Sequence, residues 1–70
     1  MASKITFTLN GQDYSTRKSV RLSNLLNYFN YKNSLLVLEH NSLICNKNYW
    51  GNICIVNNDK IEIVTVVGGG

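Results

Sequence analysis

Few residues in this 70-residue chain have the types and spacing to do chemistry, and the most suggestive of them carry no side chain. Gly68, Gly69 and Gly70 close the sequence directly after an alternating apolar stretch. With nothing to pack, they predict a flexible tail of up to ~10 Å ending in a carboxylate. Such a group, with a pKa of roughly 3.5, is anionic at neutral pH and resists nucleophiles. It becomes a useful electrophile only once activated, for instance as an acyl-adenylate made by an ATP-using partner. Bare glycines would let it thread a channel too narrow for a Cβ. Cys45 and Cys54 are the only cysteines, too few for a disulfide scaffold and too widely spaced for a CxxC pair. Next to isoleucines, both are expected as buried or half-buried structural thiols. His40, the single histidine, has no second ligand pair nearby, which argues against a zinc site. Its place near the end of an apolar run predicts a partly buried structural role rather than a catalytic base. No catalytic residue and no metal ligand is expected, and the rest of the chain would serve as a handle for Gly70.

A tail of this kind needs a folded body to present it. Hydrophobic residues make up 44% of the chain and charged residues 16%, a globular balance. A mass of 7.9 kDa allows one core. A domain this small buries only roughly 60% of its unfolded surface, which leaves little room for a cofactor cavity and disfavours an enzyme. The net charge is +3, but the seven basic residues are scattered and only Arg17 and Lys18 are adjacent. That lacks the clustered stripe a nucleic-acid surface uses. No apolar run approaches the roughly 20 residues that span a bilayer, and residues 1–10 alternate in polarity instead of forming a signal peptide. A soluble, unexported protein without nucleic-acid or membrane partners is expected. Abundant Asn, Ile, Lys and Tyr with a single Ala and no Pro mark an AT-rich genome, and the expected location is a bacterial cytoplasm or a plastid stroma. Such drift would place Asn and Lys at surface positions that lack a physical requirement.

Residues 4–10 alternate with period two, setting Ile5, Phe7 and Leu9 on one face and Lys4, Thr6 and Thr8 on the other. Asn10-Gly11 then supplies the positive φ values of a tight hairpin, with 14–16 as the return strand. Leu22, Leu25, Leu26 and Phe29 follow the i, i+3, i+4, i+7 spacing of an amphipathic helix, with Ser19 as its expected N-cap and Val20 packed beneath. The Asn-rich stretch 30–33 reads as a loop. Strands are expected at 35–39, 43–45 and 60–67, with a turn at 49–51 anchored by Tyr49 and Trp50. The order is β-β-α-β-β-β. It predicts an α+β roll of the β-grasp kind, a mixed sheet of four to five strands packed on one main helix. Its core would be Ile5, Phe7, Leu36, Leu38, Ile61 and Ile63 against the helix stripe. Residues 1–67 would form the domain and residues 68–70 the tail. If Ile61 and Ile63 point inward, Val64 and Val66 point outward. Val37 shares that outer face if Glu39 does, because in a β-grasp sheet its strand is expected beside the last one. Val37, Val64 and Val66 would then form a docking patch leading to the tail.

The hairpin at 5–14, Ser19-Val20 before Leu25-Leu26, Asn41, Trp50 and above all the block from Asp59 through the Ile/Val strand to Gly70 carry a resemblance over essentially the whole chain. The sequence resembles the ThiS family, the sulfur carriers of thiamine biosynthesis within the ubiquitin-like β-grasp superfamily. The resemblance implies a non-enzymatic carrier with no bound cofactor. A ubiquitin-activating-type adenylyltransferase would use ATP to adenylate Gly70. Sulfur from a donor such as a cysteine desulfurase would replace AMP to leave a thiocarboxylate, and thiazole synthase would take that sulfur for the thiazole ring. Three alternatives stay open: the small subunit of molybdopterin synthase, also a sulfur carrier; a modifier conjugated to lysine; and a ubiquitin-like binding module with an incidental glycine tail.

Overall fold

In the computed structural model, which describes residues 4–29 and 36–65, a seven-residue helix packs on one face of a five-stranded sheet. The strands β1 (Ile5–Leu9) and β2 (Gln12–Thr16) form the opening hairpin, and α1 (Leu22–Tyr28) follows. A second hairpin joins β3 (Leu36–His40) to β4 (Leu43–Cys45), a 3₁₀ turn covers Lys47–Tyr49, and β5 comprises Lys60–Thr65. The sheet order is β2-β1-β5-β3-β4, with β5 parallel to β1 and antiparallel to β3. This is the expected mixed β-grasp sheet. The β3 strand begins one residue later than anticipated among the described residues, and residues 66 and 67 of the expected last strand lie outside them.

Both hairpins turn on two consecutive residues in the left-handed region: Asn10 (φ 51°) with Gly11 (φ 80°), and Asn41 (φ 55°) with Ser42 (φ 73°). Two-residue turns of this hand match the twist of the strands they join. The turns leave Leu9 opposite Gln12 and His40 opposite Leu43. Asparagine is therefore more than a mark of genome composition here, and the expectation that it merely fills free surface positions fails at several sites. The Asn10 side-chain oxygen accepts the Ile63 N–H at 2.8 Å, Asn57 accepts the Thr6 N–H at 2.8 Å, and Asn41 accepts the Lys60 N–H at 2.8 Å. Each bonds backbone distant in sequence.

The core gathers Phe7 and Leu9 from β1, Leu22, Leu25 and Leu26 from α1, Leu38 from β3, Ile61 and Ile63 from β5, and Trp50 and Ile55 from the segment between β4 and β5. Ile5, Leu36, Val20 and Phe29 pack against it half-buried. The aromatic rings of Phe7 and Tyr14 stack at 5.9 Å between centroids, and Phe29 meets Tyr14 edge-on at 5.2 Å, closing the open end of α1 onto β2. Of the two aromatic residues expected to anchor the turn at 49–51, Trp50 is buried and Tyr49 is exposed. The 3₁₀ turn points Tyr49 outward, while the Trp50 indole N–H reaches the Cys45 carbonyl at 3.1 Å.

The helix N-cap is Arg21, two residues beyond the expected Ser19. Its N–H donates to the Asn24 side chain at 3.1 Å. The N–H groups of Leu22 and Ser23 donate to the carbonyls of Ile53 and Trp50 at 3.0 and 3.1 Å. Carbonyls from a distant segment thus satisfy the first turn of the helix, and no hydroxyl cap is needed. The Ser19 hydroxyl lies instead 3.9 Å from the Cys54 sulfur.

Candidate functional site

The strand that carries the chain toward the glycines is the middle strand of the sheet. β5 lies between β1 and β3 and forms most of its pairs with β3, where Ile63 faces Leu38, Val64 faces Val37 and Thr65 faces Leu36. Burial alternates along it as the sequence requires: Ile61 and Ile63 are buried, Glu62 is half-buried and Val64 is exposed. Val37 and Val64 are consequently direct cross-strand neighbours on the face away from α1, with Val37 half-buried. Of the other residues expected to matter, Val66, Gly68, Gly69 and Gly70 lie outside the described residues, and so does the boundary between a domain at 1–67 and a tail at 68–70. On the same outer face Ile44 of β4 stands opposite Glu39, and it is 75% exposed. It went unremarked in the sequence because two flanking apolar residues, Leu43 and Cys45, hide its outward direction in a three-residue strand.

At its other end β5 is anchored by Asp59, which is only 4% exposed. One carboxylate oxygen accepts the Val56 N–H at 2.9 Å and lies 2.9 Å from His40 Nε2, while the other accepts from the Asn41 amide at 3.0 Å. Burial by itself would raise the Asp59 carboxyl, but hydrogen bonds from His40, Val56 and Asn41, with the charge of His40, outweigh it and hold the group below the ordinary carboxylate range. Every partner serves to join the β3–β4 turn and the 56–59 loop to the start of β5. His40 is half-buried against this carboxylate, a structural position as expected. The sequence signal for Asp59 was its place before an alternating strand, which showed a turn without showing that its carboxylate is enclosed.

Cys45 is half-buried, and burial pushes its thiol up, away from the thiolate. Cys54 is exposed, against the expectation of a buried or half-buried thiol, because it bridges to Arg21 at the edge of the fold while Ile55 turns inward. Among the described residues no three His, Cys, Asp or Glu side chains come together as a metal site, and no helix is long and apolar enough to cross a membrane. A cleft between β2 and α1 is lined by Phe7, Tyr14, Val20, Leu25, Tyr28 and Phe29 with a few hydroxyls, an apolar hollow whose described lining residues include no acid, histidine or cysteine.

A parallel β1–β5 pair at the heart of a mixed sheet, one helix on the inner face and the last strand leading to glycines define the class of ubiquitin-like β-grasp proteins. The ThiS family model matches residues 7–70, and the chain belongs to the ThiS family of sulfur carriers. It is 62% identical to the protein ycf40 of Trieres chinensis over 65 residues, which are 93% of this chain and 89% of that one. The sulfur carrier protein ThiS of Bacillus subtilis (strain 168) is 33% identical over 63 residues, 89% of this chain and 96% of its own length. The crystal structure of a thiamine biosynthesis protein (ThiS) from Geobacter metallireducens shares the fold with a TM-score of 0.78 at 19% identity, covering 94% of this chain and all of that one.

Proposed function

We propose that this chain carries sulfur on Gly70 for thiazole formation in thiamine biosynthesis. The observation that carries the reading is the continuity of the family match from β1 through the central strand β5 to Gly70. A carboxylate oxygen of Gly70 attacks the α-phosphorus of ATP in a ubiquitin-activating-type adenylyltransferase, and pyrophosphate leaves. The outer sulfur of a persulfide, drawn from cysteine by a donor such as a cysteine desulfurase, then attacks the carbonyl carbon of the acyl-adenylate, and AMP leaves. A second thiol cleaves the S–S bond of the acyl disulfide so formed, becoming part of a disulfide itself and freeing the thiocarboxylate. Thiazole synthase takes the sulfur from the resulting thiocarboxylate. On this reading the chain contributes no catalytic group and binds no cofactor. Gly68 and Gly69 thread the tail into each partner, and Val37, Val64 and Val66 give partners a grip on the sheet beside it. The ycf40 relatives are plastid-encoded, which supports a plastid stroma as the location.

Intact-mass measurement tests the proposal. With the adenylyltransferase, ATP and a sulfur donor, the chain should gain about 16 Da as sulfur replaces a terminal oxygen. A lysine conjugate or an unchanged mass would refute it. Supplying the thiocarboxylate form to thiazole synthase, and separately to the large subunit of molybdopterin synthase, distinguishes the two sulfur pathways. Sulfur transfer only to the latter would overturn the thiamine assignment.

A further inference from the structure

Charge is distributed unevenly over the sheet. The chain carries +3 overall, yet within the strands the outer face presents Asp13, Glu39 and Glu62 against Lys60 alone. Lys4 and Arg17 prolong this face only past the far ends of β1 and β2. From Lys4 to the level of Glu62 is six residues along β1, or roughly 20 Å. Glu39 and Glu62 stand directly opposite one another on β3 and β5. Like charges in that position repel and destabilise the pair. The nearest relief is Lys60, whose exposed ammonium lies 3.9 Å from the solvent-accessible carboxylate of half-buried Glu62, a contact of small value. Ile44, Val37 and Val64 flank the carboxylates, so a repelling acid pair borders an aliphatic surface.

We propose that this face docks the adenylyltransferase by receiving a basic side chain, an arginine set among aliphatic residues, between Glu39 and Glu62. The partner's class rests on the carrier reading above, whereas the chemistry of the contact comes from the face itself. A guanidinium is planar, has five donors and suits two carboxylates on adjacent strands better than the point charge of lysine. Ile44, beside Glu39 on β4, and Val37 and Val64, the next pair along β3 and β5, would exclude water from two edges of the contact and strengthen it. A second copy of this chain is a poor occupant, because a two-fold face-to-face contact sets like surfaces together and would bring Glu39 and Glu62 against their own copies.

The test is the affinity of the full chain for the purified ubiquitin-activating-type adenylyltransferase of the same cell, measured without ATP at low and high salt. Glu39→Gln and Glu62→Gln should each weaken binding about tenfold and reduce its salt dependence. Their thermal midpoints should equal or exceed that of the parent, since the repulsion is gone. Asp13→Asn, on the same face but two strands from β5, should bind like the parent. Equal affinity of the Glu39→Gln/Glu62→Gln double variant and the parent, absence of binding by the parent, or lowered thermal midpoints in the single variants would overturn the proposal. A parent chain that docks in this charge-dependent way and is never adenylated would remove the carrier reading while supporting the docking surface.

Discussion

Asp59 joins three stretches of backbone through a single carboxylate, and its protonation should therefore register in stability. Its carboxyl is held below the ordinary range in the fold. The contribution is complete above the unfolded value of about 3.9 and is lost as pH falls through the lower folded value. Stability to urea should thus decline in acid below about pH 4, and Asp59→Asn should flatten that decline. The same variant should cost roughly 1–3 kcal/mol at neutral pH, since an amide keeps one acceptor oxygen and turns its NH2 toward either the Val56 N–H or the Asn41 amide. Urea midpoints across the pH range check both expectations. Ser42 makes the opposite kind of residue-scale case. With φ at 73° it occupies a conformation that glycine adopts freely. Ser42→Gly should therefore stabilise the β3–β4 turn, by about 0.5–1 kcal/mol at most because glycine also loosens the unfolded chain. A lower urea midpoint for that variant would show that its hydroxyl contributes more than the strain costs.

Among the elements, α1 depends most on its surroundings. Seven residues are too few for a helix to persist in water alone, so its stability comes from packing and from the carbonyls of Trp50 and Ile53 that satisfy its first turn. Leu22 and Leu26 are buried at 0% and 4% exposure. Truncating Leu26 to Ala should cost roughly 2–5 kcal/mol, enough to unfold much of so small a domain. Thermal melting followed by far-UV circular dichroism would measure it. The apolar spacing of the helix was legible in the sequence because it is local. Its starting residue was not, because the groups that cap it come from a segment about 30 residues away, and Ser19 looked like a cap only while that segment was out of view.

For the whole molecule, the central position of β5 separates what keeps the domain folded from what it presents. Removing residues 68–70 takes away no described core contact, so the thermal midpoint should stay close to that of the full chain while adenylation is lost. Gly69→Ala should likewise slow adenylation without unfolding the domain, through a Cβ in the partner's channel. Val64→Asp places a charge on an exposed site beside the tail and should weaken binding to the adenylyltransferase and thiazole synthase with little change in melting. Pyrophosphate exchange and affinity measurements, each with a melting curve, check these outcomes. Unchanged affinity for both partners would remove the valine face from the docking reading.

The sequence by itself determined the features that depend on near neighbours. Period-two alternation made β1 and β5 half-buried strands, the Leu22–Leu25–Leu26 spacing made a helix, and Asn10-Gly11 made a two-residue turn, because each follows from the backbone preferences and side-chain directions of consecutive residues. The element order and the glycine ending then sufficed to suggest the β-grasp class and the family. Tertiary structure alone decided which groups meet from opposite ends of the chain: the enclosure of the Asp59 carboxylate, the capping of α1 by the segment after β4, the exposure of Cys54, and the confrontation of Glu39 with Glu62. Local periodicity tells which way a side chain points. The register between strands separated by 20 residues or more is set by the best burial of the whole core, and that register chooses the neighbour it faces.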